Sequence, residues 1–426
     1  PNWRQLYPYI RDAATFTPPP TSTFAASSAP SAPSPTFDYI VVGGGAVGCP
    51  LAATLSKGFS VLLLERGGVP YDQPSVYRRE AFPYVLSTRA SVPFRSEDGV
   101  WNRRGIVLGG GSSVNAGFYS RASADFVQAA GWDPVRVRQS FEWVEERIAF
   151  VPQQAPGGWQ QAFRDGMLEA GLGPWRGQTP EHMIGTKLAN SIFDSNGTRR
   201  TAADLLKAGD PARLKVLIYA TVQRILLDVT SGTPRAAGVV FTDSTNRRHI
   251  ARLNPGGEQP PSAQRAVQAL MLMRTQRMNP LLLLPHPPPT LPSLSSPLTG
   301  HRHGYLAFPR RLRQACVGIA ATIEVYFEAP QNPRGVRQGR VCGQQPPETS
   351  AGLSHIYSSP PTLSPPPPPQ DTVTVIWHFH GGCHRGVCVD SSYRVHGVQA
   401  LRVVDGSTFL TSPGTNPMAT CLMLGR

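Results

Sequence analysis

The chain has 426 residues, enough for two domains at roughly 150 residues each. Hydrophobic residues make up 40% and charged residues 16%, and the 44 prolines are about twice the usual frequency, which excludes a coiled coil and a collagen and leaves part of the chain unable to pack. The formal charge of +14 comes from scattered arginines, since only Lys57, Lys187, Lys207 and Lys215 are lysine; with no nucleic-acid motif beside them, nucleic acid is excluded as a partner.

Six cysteines, none in a CxxC pair, make no disulfide scaffold and leave the redox compartment open. No run of about 18 apolar residues is present to span a bilayer. Residues 1–36 are expected to be a disordered leader or linker, because the stretch RDAATFTPPPTSTFAASSAPSAPSPT is too poor in apolar residues to offset its ordering entropy. Order is expected from Phe37, where FDYIVV reads as a buried strand, followed by three glycines, the helical stretch AVGCPLAATLSK and a second apolar strand, SVLLLE. Strands separated by helices indicate an α/β architecture.

Gly43, Gly45 and Gly48 form GxGxxG between the first strand and its helix, and Glu65 ends the next strand. The first glycine permits the tight turn and the second lets the backbone approach a pyrophosphate. The third lets helix and strand pack closely, and the helix N-terminus supplies positive dipole to the phosphates. Glu65 is placed to take the adenosine ribose hydroxyls and to repel a 2′-phosphate, which disfavours NADP. A second glycine loop, VLGGGSSVN, suits a longer cofactor such as FAD, with Ser112, Ser113 and Asn115 as donors.

Helical spacing recurs in FVQAAGWDPVRVRQSFEWVEERIAF and GWQQAFRDGMLEAG, and KVLIYATVQRILLDV with AAGVVFTD reads as two or three strands. Residues 255–370 form a proline-rich, low-complexity segment expected to be disordered: Pro255 to Pro369 holds 22 of the 44 prolines and no aspartate or lysine. Normal texture returns at Asp371, with TVTVIWHF and LRVVD as strands and NPMATCLMLGR opening a helix.

WHFHGGCH, VVDGS and SPGTNP form the third constellation. His378, His380, Cys383, His384 and Cys388 are potential metal ligands, but their spacing matches neither C-x2-C nor H-x3-H, so no metal is expected. One of the histidines is better suited to accept a proton beside a redox cofactor.

Taken together, these segments resemble the glucose-methanol-choline (GMC) oxidoreductases, in their HOTHEAD-like and mandelonitrile-lyase-like branch. The carrying stretches are FDYIVVGGGAVGCPLAATLS, VLLLERG, SEDGVWNRRGIVLGGGSSVNAGFYSRA, GWDPVRVRQSFEWVEERIAF, the run from GWQQAFRDGMLEAG to SNGTRRTAADLL, and WHFHGG to the end. The resemblance implies an FAD-binding Rossmann-like domain (37–125 with 197–254 and 398–426) and an antiparallel-sheet substrate domain that is incomplete (126–196 with 371–397). It places FAD on Gly43, Gly45, Gly48, Glu65, Gly109, Gly110, Ser112, Asn115, Val222, Asp405 and Gly406. His378 takes the position of the catalytic histidine, Asn416 that of the second catalytic residue, and Trp377 the substrate side.

The activity implied is oxidation of a primary alcohol, such as an ω-hydroxy fatty acid, by hydride transfer to flavin N5, with the small-molecule alcohol as partner. A hydroxynitrile lyase with structural FAD stays open as the alternative, although Asn416 in place of a second histidine argues against it. A non-catalytic product stays open too. Ile106 replaces the usual Arg or Lys of the first signature, and residues 255–300 lack the second signature. With the start at Pro1 and the helix clipped at Arg426, these departures are read as a fragment or a mis-spliced translation.

Overall fold

The computed structural model describes residues 2–16, 35–95, 100–152, 157–230, 232–254, 266–269 and 377–426. Contacts divide the chain into a larger unit, Pro1–Val92, Arg103–Pro289 and Phe379–Arg426, and a smaller one, Pro93–Asn102 and Thr290–His378.

Among the strands of the larger unit are β1 (Ile10–Asp12), β2 (Tyr39–Val42), β3 (Val61–Leu64), β4 (Leu214–Ile218), β5 (Thr221–Asp228), β6 (Arg235–Thr242), β7 (Arg248–Leu253), β8 (Ala266–Ala269) and β9 (Leu401–Arg402). A wholly parallel sheet runs β1-β4-β3-β2-β8-β9, and β5, β6 and β7 form an antiparallel sheet edged by Thr36–Phe37. The parallel sheet is covered on both faces, as parallel sheets require. Val41, Val61, Leu63, Val216 and Ile218 point into one core, while Ile40, Leu62, Leu64 and Leu217 point into the other with Phe37, Val239, Phe241 and Ala251. All four residues of β3 are at most 1% exposed, each contributing roughly 1.5–3 kcal/mol of burial. This is the continuous apolar run read in SVLLLE.

Helices α1 (Gly48–Leu55), α2 (Pro134–Ile148), α3 (Gly158–Glu169) and α4 (Met418–Leu424) accompany the sheets. The α2 helix starts where Asp133 accepts hydrogen bonds from the amides of Val135 and Arg136 and Pro134 presets the first turn. Val137, Phe141, Val144 and Ile148 recur at helical spacing and are buried in the first core, so the boundary expected after residue 125 is no break in packing. The single helical reading of 126–150 is corrected to two helices, Ala124–Ala129 and α2, separated at Gly131 by a left-handed turn.

Three other expectations are revised. Residues 2–16 are ordered: β1 adds an edge to the parallel sheet, and Tyr7 and Phe16 are 1% and 4% exposed. Composition averages over such a segment and misses the few side chains that find a groove. Within the segment assigned to low complexity, β8 pairs between β2 and β9; the rest of 255–370 lies outside the described residues. The strand expected over TVTVIWHF is absent at Trp377–Phe379, where the backbone is irregular and Trp377 adopts φ +62°; residues 372–376 lie outside the described residues.

Of the smaller unit, residues 93–95, 100–102, Trp377 and His378 are described. The Arg95 guanidinium lies 5.8 Å over the Trp101 ring, and Asn102 Nδ2 donates to Val100 O at 3.0 Å.

Candidate cofactor site

The first glycine loop leaves β2 through Gly43, whose φ of +97° only glycine adopts without strain. Gly43 N donates to Leu64 O at 2.7 Å and Gly44 N to Glu65 Oε2 at 2.9 Å. Glu65 is 5% exposed, and its Oε1 accepts from Gly67 N at 2.7 Å. Burial raises the Glu65 carboxyl, and the two amides oppose that rise. Each carboxylate oxygen keeps a second lone pair, so Glu65 joins the loop to the end of β3 and still has capacity for ribose hydroxyls.

The second loop is packed directly on the first. Gly109 N donates to Gly44 O at 2.6 Å, Gly109 and Gly110 take φ of +95° and +55°, and a Cβ on Gly110 would stand 2.7 Å from Gly45 Cα. Gly67 lies against the Ile106 and Val107 backbone, where a Cβ would fall within 2.3 Å of three main-chain atoms. Ile106 therefore acts there through its main chain, and the departure from the signature leaves this contact intact.

The hydroxyls of Ser112 and Ser113, expected as flavin donors, are bonded within the protein in this structure. Each hydroxyl has one proton: Ser112 gives its own to Gly109 O at 2.7 Å while accepting from Ala202 N, and Ser113 gives its own to Leu108 O at 2.9 Å. They shape the loop, which leaves its backbone to face a ligand. Asn115 is also tied, through Nδ2 to Met418 Sδ at 2.9 Å and through Oδ1 to Gly117 N and Arg199 Nη1.

Val222 lies in β5 opposite Phe241, two residues after Ala220, whose amide donates to Glu65 O at 2.8 Å. The C-terminal segment is stitched to the turn that follows His378: Gly381 N donates to Gly406 O at 3.1 Å and Cys383 N to Ser407 O at 2.9 Å. Asp405 caps the short turn Gly406–Thr408, accepting from the amide and hydroxyl of Ser407, and burial pushes its carboxyl up to about 6. Asn416 is half-buried just before α4; its loop is held by Ser123 N to Pro413 O at 3.0 Å and by His182 Nε2 with Gly414 O at 2.9 Å. His378 and Trp377 belong to the smaller unit.

Sequence reasoning missed three features. Cys383 and Cys388 are joined by a disulfide, which removes two thiols from the ligand set weighed above; a separation of five residues gives no pairing signal by itself. His182, whose ring meets Gly414 O, carries no motif that marks it in the sequence. Arg199 was passed over as one arginine among many.

The loops fit an extended dinucleotide. A Cβ on Gly45 or Gly111 meets nothing within 4 Å, whereas Gly44 and Gly110 are closed by neighbours, so the cradle is open at the two points where backbone would approach a phosphate or the chain beyond it. The first turn of α1 has no side-chain cap, leaving amides for an anion. Gly43, Gly45, Gly48 and Glu65 would hold the adenosine-diphosphate half of FAD, and Gly109–Asn115 the flavin half.

Comparison with known proteins agrees. The description "GMC oxidoreductase" matches residues 37–255 with its N-terminal model and 299–425 with its C-terminal model. Protein HOTHEAD of Arabidopsis thaliana is 36% identical, over 99% of this chain and 91% of its own. An (R)-mandelonitrile lyase-like protein of the same plant is 35% identical over 96% and 92%, and the sinalpyl alcohol oxidase Nec3 of Nesocodon mauritianus 32% over 92% and 88%. A solved Aspergillus oryzae formate oxidase shares the fold, with a TM-score of 0.56 at 13% identity over 92% of this chain and 96% of its own. The chain belongs to the GMC oxidoreductase family of FAD-dependent enzymes.

Proposed function

We propose that this chain oxidises a primary alcohol with an apolar body, an ω-hydroxy fatty acid being the type substrate. The bound flavin supplies the hydride acceptor. His378 accepts the hydroxyl proton as the carbon–hydrogen bond breaks, and Asn416 donates a hydrogen bond to the oxygen as negative charge develops there. Trp377 lines the substrate side.

The observation that carries this reading is the pair of main-chain hydrogen bonds from Gly381 and Cys383 to Gly406 and Ser407. They fasten the turn after His378 to the segment that leads on to Asn416. Similarity to one protein named an alcohol oxidase supports oxidation, and Asn416, a neutral amide, suits an oxidation better than a lyase that would call for a second histidine.

Anaerobic mixing of the FAD-loaded protein with long-chain primary alcohols tests it. Bleaching of the flavin absorbance is expected, with no cyanide release from mandelonitrile; cyanide release without bleaching would establish the lyase instead. His378→Ala should keep FAD and slow bleaching about a hundredfold or more, the usual loss for a general base, whereas His380→Ala should not. The reverse result would misplace the catalytic histidine.

A further inference from the structure

A cation with no carboxylate partner among the described residues lies beneath the second glycine loop. Arg199 is 2% exposed. Its Nε donates to Val76 O at 2.8 Å, and its Nη1 donates to Asn115 O at 2.7 Å, Ser112 O at 3.3 Å and Asn115 Oδ1 at 3.1 Å. Nη2 is buried and has no hydrogen-bond partner among the described residues. The guanidinium is stacked 4.4 Å from the Phe193 ring and 5.8 Å from that of Phe82. No Asp or Glu pairs with it among the described residues; the adjacent Arg200 takes Asp194.

A buried charge is retained against its desolvation cost when carbonyl dipoles or a counter-charge offset it. Three carbonyls and an amide oxygen supply part of that offset here. They belong to Ser112 and Asn115 on the cofactor loop and to Val76, so the arginine is fixed to the segment that would carry the flavin. The missing counter-charge is one the cofactor itself acquires on reduction.

We propose that Arg199 is a positioning residue for the cofactor: a fixed cation behind Ser112 and Asn115 that favours the reduced over the oxidised flavin. The proposal rests on FAD binding and not on the choice of substrate. Burial also pulls the guanidinium down to about 9, so it remains a cation at neutral pH.

The test is an anaerobic redox titration of the FAD-loaded protein with dithionite and an indicator dye, which needs no alcohol. Arg199→Met removes the charge. Asn115→Asp keeps the arginine and sets a carboxylate at the oxygen 3.1 Å from Nη1. Each should lower the two-electron midpoint by about 30 mV or more, a tenfold loss of preference for the reduced form. Arg199→Lys keeps the charge but not the planar fork, so it should lower the melting temperature and hold the midpoint.

An unchanged midpoint in Arg199→Met and Asn115→Asp with FAD bound would overturn the proposal, as would an equal shift in Arg199→Lys, which would make the role purely structural. If Arg199→Met fails to retain FAD, the Asn115→Asp midpoint decides. Failure of alcohols to bleach the wild-type flavin would sink the substrate reading and leave these midpoints untouched.

Discussion

A methyl group on Gly110 would stand 2.7 Å from the Cα of Gly45, so the two glycine loops touch backbone to backbone. The same residues differ in what lies in front of them: nothing within 4 Å of a Cβ on Gly45, against main chain at Gly110. Gly110→Ala should therefore unfold more easily even without cofactor, by about 2 kcal/mol or more, from its φ of +55° and the collision together. Gly45→Ala should keep the urea midpoint of the FAD-free chain and lose FAD on gel filtration. Stoichiometric flavin in purified Gly45→Ala would mean that the cofactor backbone does not pass there.

Much of this site was legible because it is local. A strand of β-branched and aromatic residues, a glycine turn, a helix of small residues and an acid ending the next strand occur consecutively between Phe37 and Glu65, and each has a physical reason to lie where it does. What escaped depends on partners distant in sequence. Ile10–Asp12 becomes a strand only because β4, some 200 residues later, presents a free edge, and Arg199 gains meaning only beneath Ser112 and Asn115. The bonding of Ser112 was illegible for a related reason: a hydroxyl read from sequence looks available, yet in the fold its single proton goes to Gly109 O.

The N-terminal segment should contribute to the stability of the whole sheet. Tyr7 is 1% exposed, and its ring is stacked 4.9 Å from that of Tyr71. Tyr7→Ala should cost about 3 kcal/mol, the scale for emptying a buried aromatic site. Tyr7→Phe should cost under about 1 kcal/mol, because the hydroxyl reaches Asp204 Oδ1 only at 3.4 Å. Equal urea midpoints for Tyr7→Ala and the wild type would show that residues 2–16 do not pack as described.

Asp405 gives a pH dependence whose sign is fixed by its environment. Its carboxyl is raised to about 6, chiefly by burial and against the opposing hydrogen bonds from Ser407, while in the unfolded chain it titrates near 4. The folded state thus prefers the neutral acid, so the contribution is complete below about pH 4 and is lost as the pH rises through about 6. The full difference would be roughly 3 kcal/mol, but the residue keeps some contact with solvent, and screening leaves about 1 kcal/mol. Asp405→Asn keeps an oxygen for Ser407 and removes the titration. In the FAD-free chain its stability relative to the wild type should therefore improve by about 1 kcal/mol between pH 4 and pH 7, and a flat difference across that range would contradict the assignment.

The disulfide between Cys383 and Cys388 closes a short loop just after the turn stitched to Gly406 and Ser407. Cys383 is 1% exposed and packs with Val389 and Val403, with Tyr393 and Val395 against them, so the bond joins the turn to a small apolar cluster. Restricting so short a loop in the unfolded chain is worth about 2 kcal/mol in the chain-entropy model. Cys388→Ser should lower the urea-derived stability by that amount while the remaining Cys383 thiol stays buried as a small apolar group. Because Cys383 N donates to Ser407 O, its amide should also exchange with solvent faster in Cys388→Ser than the amides of β3, which lie in the sheet interior. If the Cys383 and β3 amides accelerate together, the disulfide stabilises the fold globally and does not act locally on the turn that follows His378.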